Sequence, residues 1–348
     1  MGDPSRNVFR LRQPGSEAIE DKISAQVIVV LSAYNGARHI AEQIESIRSQ
    51  SFTDWKLIVR DDGSTDNTVD IVNSLSARDE RIELFADARG NIGPWASFGE
   101  LLTVAHSRGA DYVFLSDQDD VWVSDKMEKQ LSLLRSIENK PGLIHSDLKV
   151  VGENLQEIHR SFMEFQRSSY DASDPLRTLL IHNSVVGCTI GVNRALLDFA
   201  LPIPPGAWHD WWLALSAAAS GSIKITRDST VLYRQHSHNV VGGAVEPRRN
   251  FLGSLATRPV SYTRESLRAF NDGLKHATEL RTRMQMRGAD RSRLERVEKY
   301  CSAFESNGVA QRLRAYRESH ARPQRRTSRV IMLGLVAAFP MMRAFAAK

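Results

Sequence analysis

The sequence predicts an α/β protein, with an open, mostly parallel sheet flanked by helices and a helical, basic C-terminal region after it. Three observations predict this. Short β-branched runs alternate with segments of helical period from Ala25 to Glu138. Each run ends in polar or acidic residues, as strands do when their carboxyl ends line a ligand crevice. Beyond Pro247 the strand pattern stops and Arg-rich helical periodicity replaces it.

Residues 25–32 are an apolar, β-branched run bounded by turn residues, which predicts a parallel strand buried on both faces. Residues 33–36 turn the chain. Residues 39–49 then place Ile40, Ile44 and Ile47 on one helical face. Residues 56–60 predict a second buried strand that runs into DDGSTD at 61–66, where Asp66 or Thr65 would cap a helix over 67–76. A third strand is expected at 81–85, a helix at 97–107, and a fourth strand at 112–115 ending in SDQDD at 116–120. Strand and helix alternate throughout, which implies right-handed crossovers. A helix follows at 126–138, then separate strands at 142–145 and 148–151. Residues 184–192 read as a pair of extended runs about Gly187. Residues 210–219 read as a helix capped by Asp210 or His209, and 231–234 as the last strand.

The chain has 348 residues, 42% of them hydrophobic and 25% charged, enough for a large core without disulfides. Three regions are expected: a polar tail over 1–22, a sheet domain over 23–246, and the basic helical region over 247–348. The tail lacks the apolar segment of a secretory signal. The apolar stretch at 330–342 is shorter than the ~20 residues a membrane span needs. The two cysteines, Cys188 and Cys301, fit no metal or redox spacing and suit a reducing, cytoplasmic compartment. Residues 251–348 carry a net charge of +12 and the rest −7. A basic end on an acidic body points to an anionic partner. Nucleic acid is the weaker candidate, because neither interleaved aromatic and basic residues nor zinc spacing is present. Arg312, Arg314, Arg317, Arg322, Arg325, Arg326 and Arg329 precede the apolar stretch, a pattern that suits an interfacial segment on anionic lipid at the inner face of the cell membrane.

The carboxylates carry the chemistry. Asp117, Asp119 and Asp120 crowd three negative charges directly after an apolar strand. Mg²⁺ and Mn²⁺ take carboxylate oxygens together with substrate phosphates, so an Asp-x-Asp there suits a metal bridging to a diphosphate. A solvated acidic loop is the plainer alternative. Asp61 and Asp62 also follow a buried strand. One of them could accept the ring N–H of a pyrimidine, or both could simply build the turn.

These segments, VVLSAYNG at 29–36, RDDGSTD at 60–66 and LSDQDDVW at 115–122, together resemble the family 2 glycosyltransferases with the GT-A fold. Asn91 to Gly93 with Phe98, and the segment from Asn183, match further pieces in order. His209-Asp210-Trp211-Trp212 and Tyr233 to Asn239 resemble the rhamnosyltransferase-like branch. The resemblance covers about 23–243. It implies an inverting transfer of a sugar, such as a deoxyhexose from a dTDP or UDP donor, to a lipid-linked or cell-wall glycan. It places the nucleotide at Ala33, Tyr34, Asn35, Asp61, Asp62 and Asp117, and a divalent metal at Asp117 and Asp119 with His236. Asp210 becomes the base, although a plain helix cap is its alternative. The acceptor side is assigned to Trp122, Gly187, Cys188, His209 and Trp211. His145 and His182 are expected in the core or its rim. A non-catalytic sugar-nucleotide-binding or scaffold protein is the rival reading, against which Asp117, Asp119 and Asp210 all stand intact. A metal hydrolase would need more metal ligands and would leave Asp61 and Asp62 without a purpose.

Overall fold

A computed structural model describes residues 25–166, 173–236, 259–306 and 308–319. The parallel half of the sheet is built from β1 (Val27–Ala33), β2 (Trp55–Asp61), β3 (Ile82–Phe85) and β4 (Tyr112–Ser116). They lie in the order β3-β2-β1-β4, all parallel. The connecting helices are α1 (Ile40–Arg48), α2 (Thr68–Ser76) and α3 (Pro94–Ser107). β1 is apolar from Val27 to Leu31 because both its faces are covered there. Ile28 and Val30 enter one hydrophobic cluster, while Val27, Val29 and Leu31 enter the other.

Register brings the strand ends together. Ala33 lies opposite Asp61, and Leu31 lies opposite Ser116. The loops that follow β1, β2 and β4 therefore start at one edge, side by side.

The second half of the sheet is mixed and departs from the sequence expectation in several places. Beyond β4 come β8 (Gly191–Asn193), β6 (Gly142–Val151), β9 (Ser222–Arg234) and β5 (Val121–Trp122), with β7 (Glu157–His159) on β6. β8 is antiparallel to β4 and β6, while β9 is parallel to β6. Residues 142–151 form one strand, not two. Ser146 and Asp147 interrupt the apolar pattern but are satisfied inside, Ser146 by Thr230 Oγ1 at 2.6 Å and Asp147 by the N–H of Met163 at 3.1 Å. The β6–β9 register shifts at this point. Residues 184–192 are a 3₁₀ turn, Gly187–Thr189, leading into β8, because the N–H groups of Thr189 and Ile190 bond back to Val186 and Gly187. Helix α3 starts three residues earlier than expected, with Pro94 pre-setting its first turn. Helix α4 (Lys126–Arg135) ends three residues earlier than expected. Short helices α5 (Phe162–Gln166) and α6 (Pro175–Leu179) precede α7 (Arg194–Ala200).

Helix α8 (His209–Ser220) has Trp208 at its N-cap position, not Asp210 or His209, although Asp210 still accepts the first-turn N–H of Trp211. Its buried face meets α9 (Pro259–Arg287) and α10 (Arg291–Glu305), while α11 (Val309–Ser319) packs on α10 and α6. Phe270, Leu280, Met284 and Tyr300 join the same cluster as Trp211 and Leu215. Gly273 lets α9 approach closely, since a Cβ there would stand 2.7 Å from Trp211 Cη2. Arg283 donates to the carbonyls of Ala200 and Leu201 at 2.8 and 3.1 Å, which satisfies the open end of α7. These helices thus share one core with the sheet domain. Arg312, expected on a lipid-facing surface, is instead 1% exposed and donates to the Ser306 carbonyl at 2.8 Å. Arg322, Arg325, Arg326, Arg329, the stretch 330–342, His238, Asn239 and the N-terminal tail lie outside the described residues. Among those described, no helix is long and apolar enough to cross a membrane.

Candidate active site

The site is assembled at the carboxyl ends of β1, β2 and β4. After β1, Tyr34 is 48% exposed and offers an open ring. Its backbone is held from both sides by Gln118, whose Oε1 accepts the Tyr34 N–H at 2.7 Å and whose Nε2 donates to the Tyr34 carbonyl at 2.9 Å. Gly36 must stay bare, since a Cβ would lie 2.3 Å from Gln118 Oε1. Asn35 adopts φ +50 and spends its amide on the turn, accepting the Thr65 N–H at 2.8 Å. Ala33 is buried and contributes its carbonyl, which accepts the Asp62 N–H at 2.7 Å.

The two carboxylates after β2 do different work. Asp62 is 2% exposed and clamped. Its Oδ1 accepts from Arg60 at 2.6 Å and from the Ile92 N–H at 2.8 Å, and its Oδ2 accepts from the Gly93 N–H at 2.9 Å. Arg60 is itself fully buried and forks onto Asp87 at 2.8 and 3.1 Å. Asp61 Oδ2 accepts the N–H groups of Gly63 and Ser64 at 3.1 and 2.9 Å, while its Oδ1 is buried without a hydrogen-bond partner among the described residues.

After β4, the three carboxylates divide. Asp120 is fully buried and accepts the Arg234 N–H at 3.1 Å. Asp117 and Asp119 are half-buried. Asp119 Oδ2 lies 2.8 Å from His236 Nε2. Burial, and then the charges of Asp119 and Asp210, push the Asp117 carboxyl up to about 7. Neighbouring carboxylates that resist ionising are relieved by an added cation. Oxygen donors with one imidazole fit Mg²⁺ or Mn²⁺. Asp117, Asp120 and Cys188 also offer ligand atoms within 4.8 Å of one another. That set fits a hard cation poorly: burial pushes the Cys188 thiol well up, and Asp120 is already tied to the Arg234 backbone.

Asp210 sits in the first turn of α8. Its Oδ2 accepts from Asn183 Nδ2 at 2.9 Å and its Oδ1 from the Trp211 N–H at 2.6 Å. Burial raises its carboxyl to about 6, against the lowering effect of those two donors. It thus approaches the strength useful for a base near neutral pH.

Residues 28–197 match the family described as "Glycosyl transferase family 2". Those residues are a family 2 glycosyltransferase domain. The chain is 26% identical to the dTDP-rhamnosyl transferase RfbG of Shigella flexneri, over 69% of this chain and 83% of that one. It is 28% identical to WfgD of Escherichia coli, a UDP-Glc:alpha-D-GlcNAc-diphosphoundecaprenol beta-1,3-glucosyltransferase, over 54% of this chain and 69% of that one. TarS of S. aureus, crystallised with UDP-GlcNAc, shares the fold with a TM-score of 0.51 at 14% identity, covering 80% of this chain and 72% of that one.

The acceptor-side expectations are redistributed in this glycosyltransferase domain. Gly187 lies beside the His209–Asp210 pair, where a Cβ would be 3.1 Å from His209 Nε2 and 3.8 Å from Asp210 Cβ. His209 is 7% exposed and stacks on Phe98 at 4.2 Å. Burial lowers its imidazole to about 3, so the ring is neutral. Trp122, Cys188 and Trp211 are core residues, 3%, 0% and 2% exposed, and none offers a face to a sugar. Trp122 carries Lys126 over its ring at 4.7 Å, and Trp211 donates to the Leu179 carbonyl at 2.6 Å. His145 is buried and held neutral, its imidazole lowered by burial to about 4.

Three residues received no role from the sequence. Arg234, 2% exposed, donates to the Asp119 carbonyl at 2.8 Å, to Glu42 at 2.5 Å and to the Glu153 carbonyl, fastening the acidic loop to β9. Asn183 orients Asp210. His276 of α9 accepts the Trp208 N–H at 3.0 Å, fixing the start of α8. Arg234 and Asn183 lie inside segments that carry the resemblance, and that was their available signal.

Proposed function

We propose that the chain transfers a sugar, with inversion, from a dTDP- or UDP-linked donor to a lipid-linked or polysaccharide glycan acceptor. The observation that carries this is Asp210: a carboxylate at the start of a helix, raised to about 6, whose charge is felt by Asp117 across the site. In a single displacement, the acceptor hydroxyl attacks the anomeric carbon as the bond to the diphosphate breaks. Asp210 accepts the hydroxyl proton, with Asn183 and the Trp211 N–H keeping its lone pairs aimed. Asp61, whose Oδ1 has no partner among the described residues, receives the pyrimidine N3–H, Asp62 fixes the loop at 90–93 behind it, and the open ring of Tyr34 packs beside the base. Asp117, Asp119 and His236 would hold a divalent cation, which supplies Lewis-acid stabilisation of the leaving diphosphate. The Shigella relative favours a dTDP-deoxyhexose such as rhamnose, and the Escherichia relative a UDP-hexose with a lipid diphosphate acceptor.

The test is Asp210→Asn. Turnover is expected to fall by about 10²–10⁴-fold, the usual contribution of a general base, while nucleotide affinity stays within twofold. Near-normal turnover would place the base elsewhere. The lipid-linked acceptor also calls for a membrane-facing enzyme, and the basic residues after 320 provide the charge for it. Deleting residues 322–348 is expected to weaken binding to phosphatidylserine vesicles at least fivefold in a flotation assay. Unchanged flotation would remove that segment from the account.

A further inference from the structure

The aromatic residues at the starts of α3 and α8 form a pair of stacked contacts that the transferase chemistry does not use. Trp95 stacks on Trp208 with ring centroids 5.1 Å apart and planes 12° from parallel. Three residues along α3, Phe98 stacks on His209 at 4.2 Å. The second pair is buried; the first is half-exposed. Trp95 belongs to neither hydrophobic cluster among the described residues.

Trp208 is rigidly held. Its ring meets the edge of Trp211 at 6.3 Å, and its backbone N–H donates to His276 Nε2 at 3.0 Å. Trp95 is likewise fixed in position. It is the second residue of α3, whose leading Gly93 donates its N–H to Asp62 at 2.9 Å. Two indoles are thus locked face to face, and each can lose only one face to the other. An indole left half in water, outside the core, at a rigid helix start gains little for folding. It is well suited to receive the apolar C–H face of a pyranose ring.

We propose that Trp95 and Trp208 form a carbohydrate subsite that receives a sugar ring of the acceptor. The placement fits the chemistry. Trp208 opens the helix that carries Asp210, and Trp95 opens the helix whose Phe98 stacks on the neighbouring His209, so the indole pair and the proposed base belong to one junction of two helix starts. The occupant is a neutral pyranose, because no cationic side chain joins this aromatic pair in the described contacts and the adjoining His209 ring is neutral. The subsite rests on the transferase reading above, since it assigns the ring to the acceptor and not to the donor.

The test uses the full chain loaded with UDP and Mn²⁺, and follows tryptophan fluorescence during titration with methyl glycosides of glucose, N-acetylglucosamine and rhamnose. Wild type is expected to give a saturable change with at least one of them. Trp95→Ala is expected to weaken that binding at least fivefold and Trp95→Phe to recover part of it. UDP affinity and the slow hydrolysis of the donor with water as acceptor are expected to stay within twofold of wild type in both variants. A Trp95→Ala protein that binds the glycoside as wild type does, or a wild type that binds UDP but none of the three glycosides, overturns the subsite. Failure of wild type to bind any nucleotide sinks the transferase reading itself, an outcome distinct from these.

Discussion

At the scale of single residues, the site depends on one carboxylate kept in a place that resists its charge. Burial lifts Asp210 from 3.8 to about 6. As the proposed base, Asp210 works when ionised, so log kcat/KM is expected to rise with unit slope up to about pH 6 and then level off. A rate that is flat from pH 5 to 7 would contradict this. The same shift has a cost in stability. Between pH 3.8 and about 6 the native protein binds the proton more tightly than the unfolded chain does, so stability falls as pH rises through that window. Asp210→Asn removes the buried charge but sets an NH2 group against the Asn183 Nδ2 donor, so the gain and the loss oppose each other and its melting temperature at pH 7 is expected to stay within a few degrees of wild type while its turnover collapses. Asp117, Asp119 and Asp210 were legible in the sequence because acidic residues directly after apolar runs are conspicuous. Asn183, Arg234 and His276 were not given roles. Their partners lie 27, 115 and 68 residues away, and side-chain pairing over such separations leaves no local pattern.

At the scale of elements, β2 carries the strongest internal commitment. Arg60 points into the interior and is paired there with Asp62 and Asp87, with side-chain exposures of 0%, 3% and 13%. Arg60→Ala would leave both carboxylates facing a cavity. Breaking a buried ion pair from one side costs about 3–5 kcal/mol, and urea unfolding is expected to show a loss of that order. The loop at 90–93 would be released with it, since the Ile92 and Gly93 N–H groups depend on Asp62, so the donor KM is expected to rise in any folded fraction. A loss under 1 kcal/mol would contradict the pairing as described. Strands β1 and β4 were legible because burial on both faces makes them apolar runs, whereas β2 and β3, which expose Lys56 and Glu83, were legible as β-branched and apolar runs between turn residues. The mixed half was less so. Ser146 and Asp147 split β6 in the sequence, whereas in the structure Thr230 and the chain around Met163 satisfy them without breaking the strand.

At the scale of the whole molecule, the basic C-terminal helices are joined to the sheet domain through a common core. Their amphipathic period was visible in the sequence, but the surface they cover was not, because period alone does not name a partner. With Gly273 against Trp211 and Arg283 closing the end of α7, helix α8, which carries Asp210, is packed from behind by α9. The full chain is therefore expected to unfold in a single calorimetric transition. Two separated transitions would mean that residues 259–319 fold independently of the sheet.

Asp117 and Asp119 are proposed to hold a cation that joins the protein to a pyrimidine nucleoside diphosphate. A thermal-shift screen against dTDP, UDP, GDP and ADP, each with and without Mn²⁺, tests it most directly, since a ligand that binds only the folded state raises the melting temperature by mass action. A shift is expected with dTDP or UDP that requires Mn²⁺, disappears in Asp119→Ala and persists in Asp210→Asn. No shift with any nucleotide, or one equally large without Mn²⁺ and in Asp119→Ala, would contradict it.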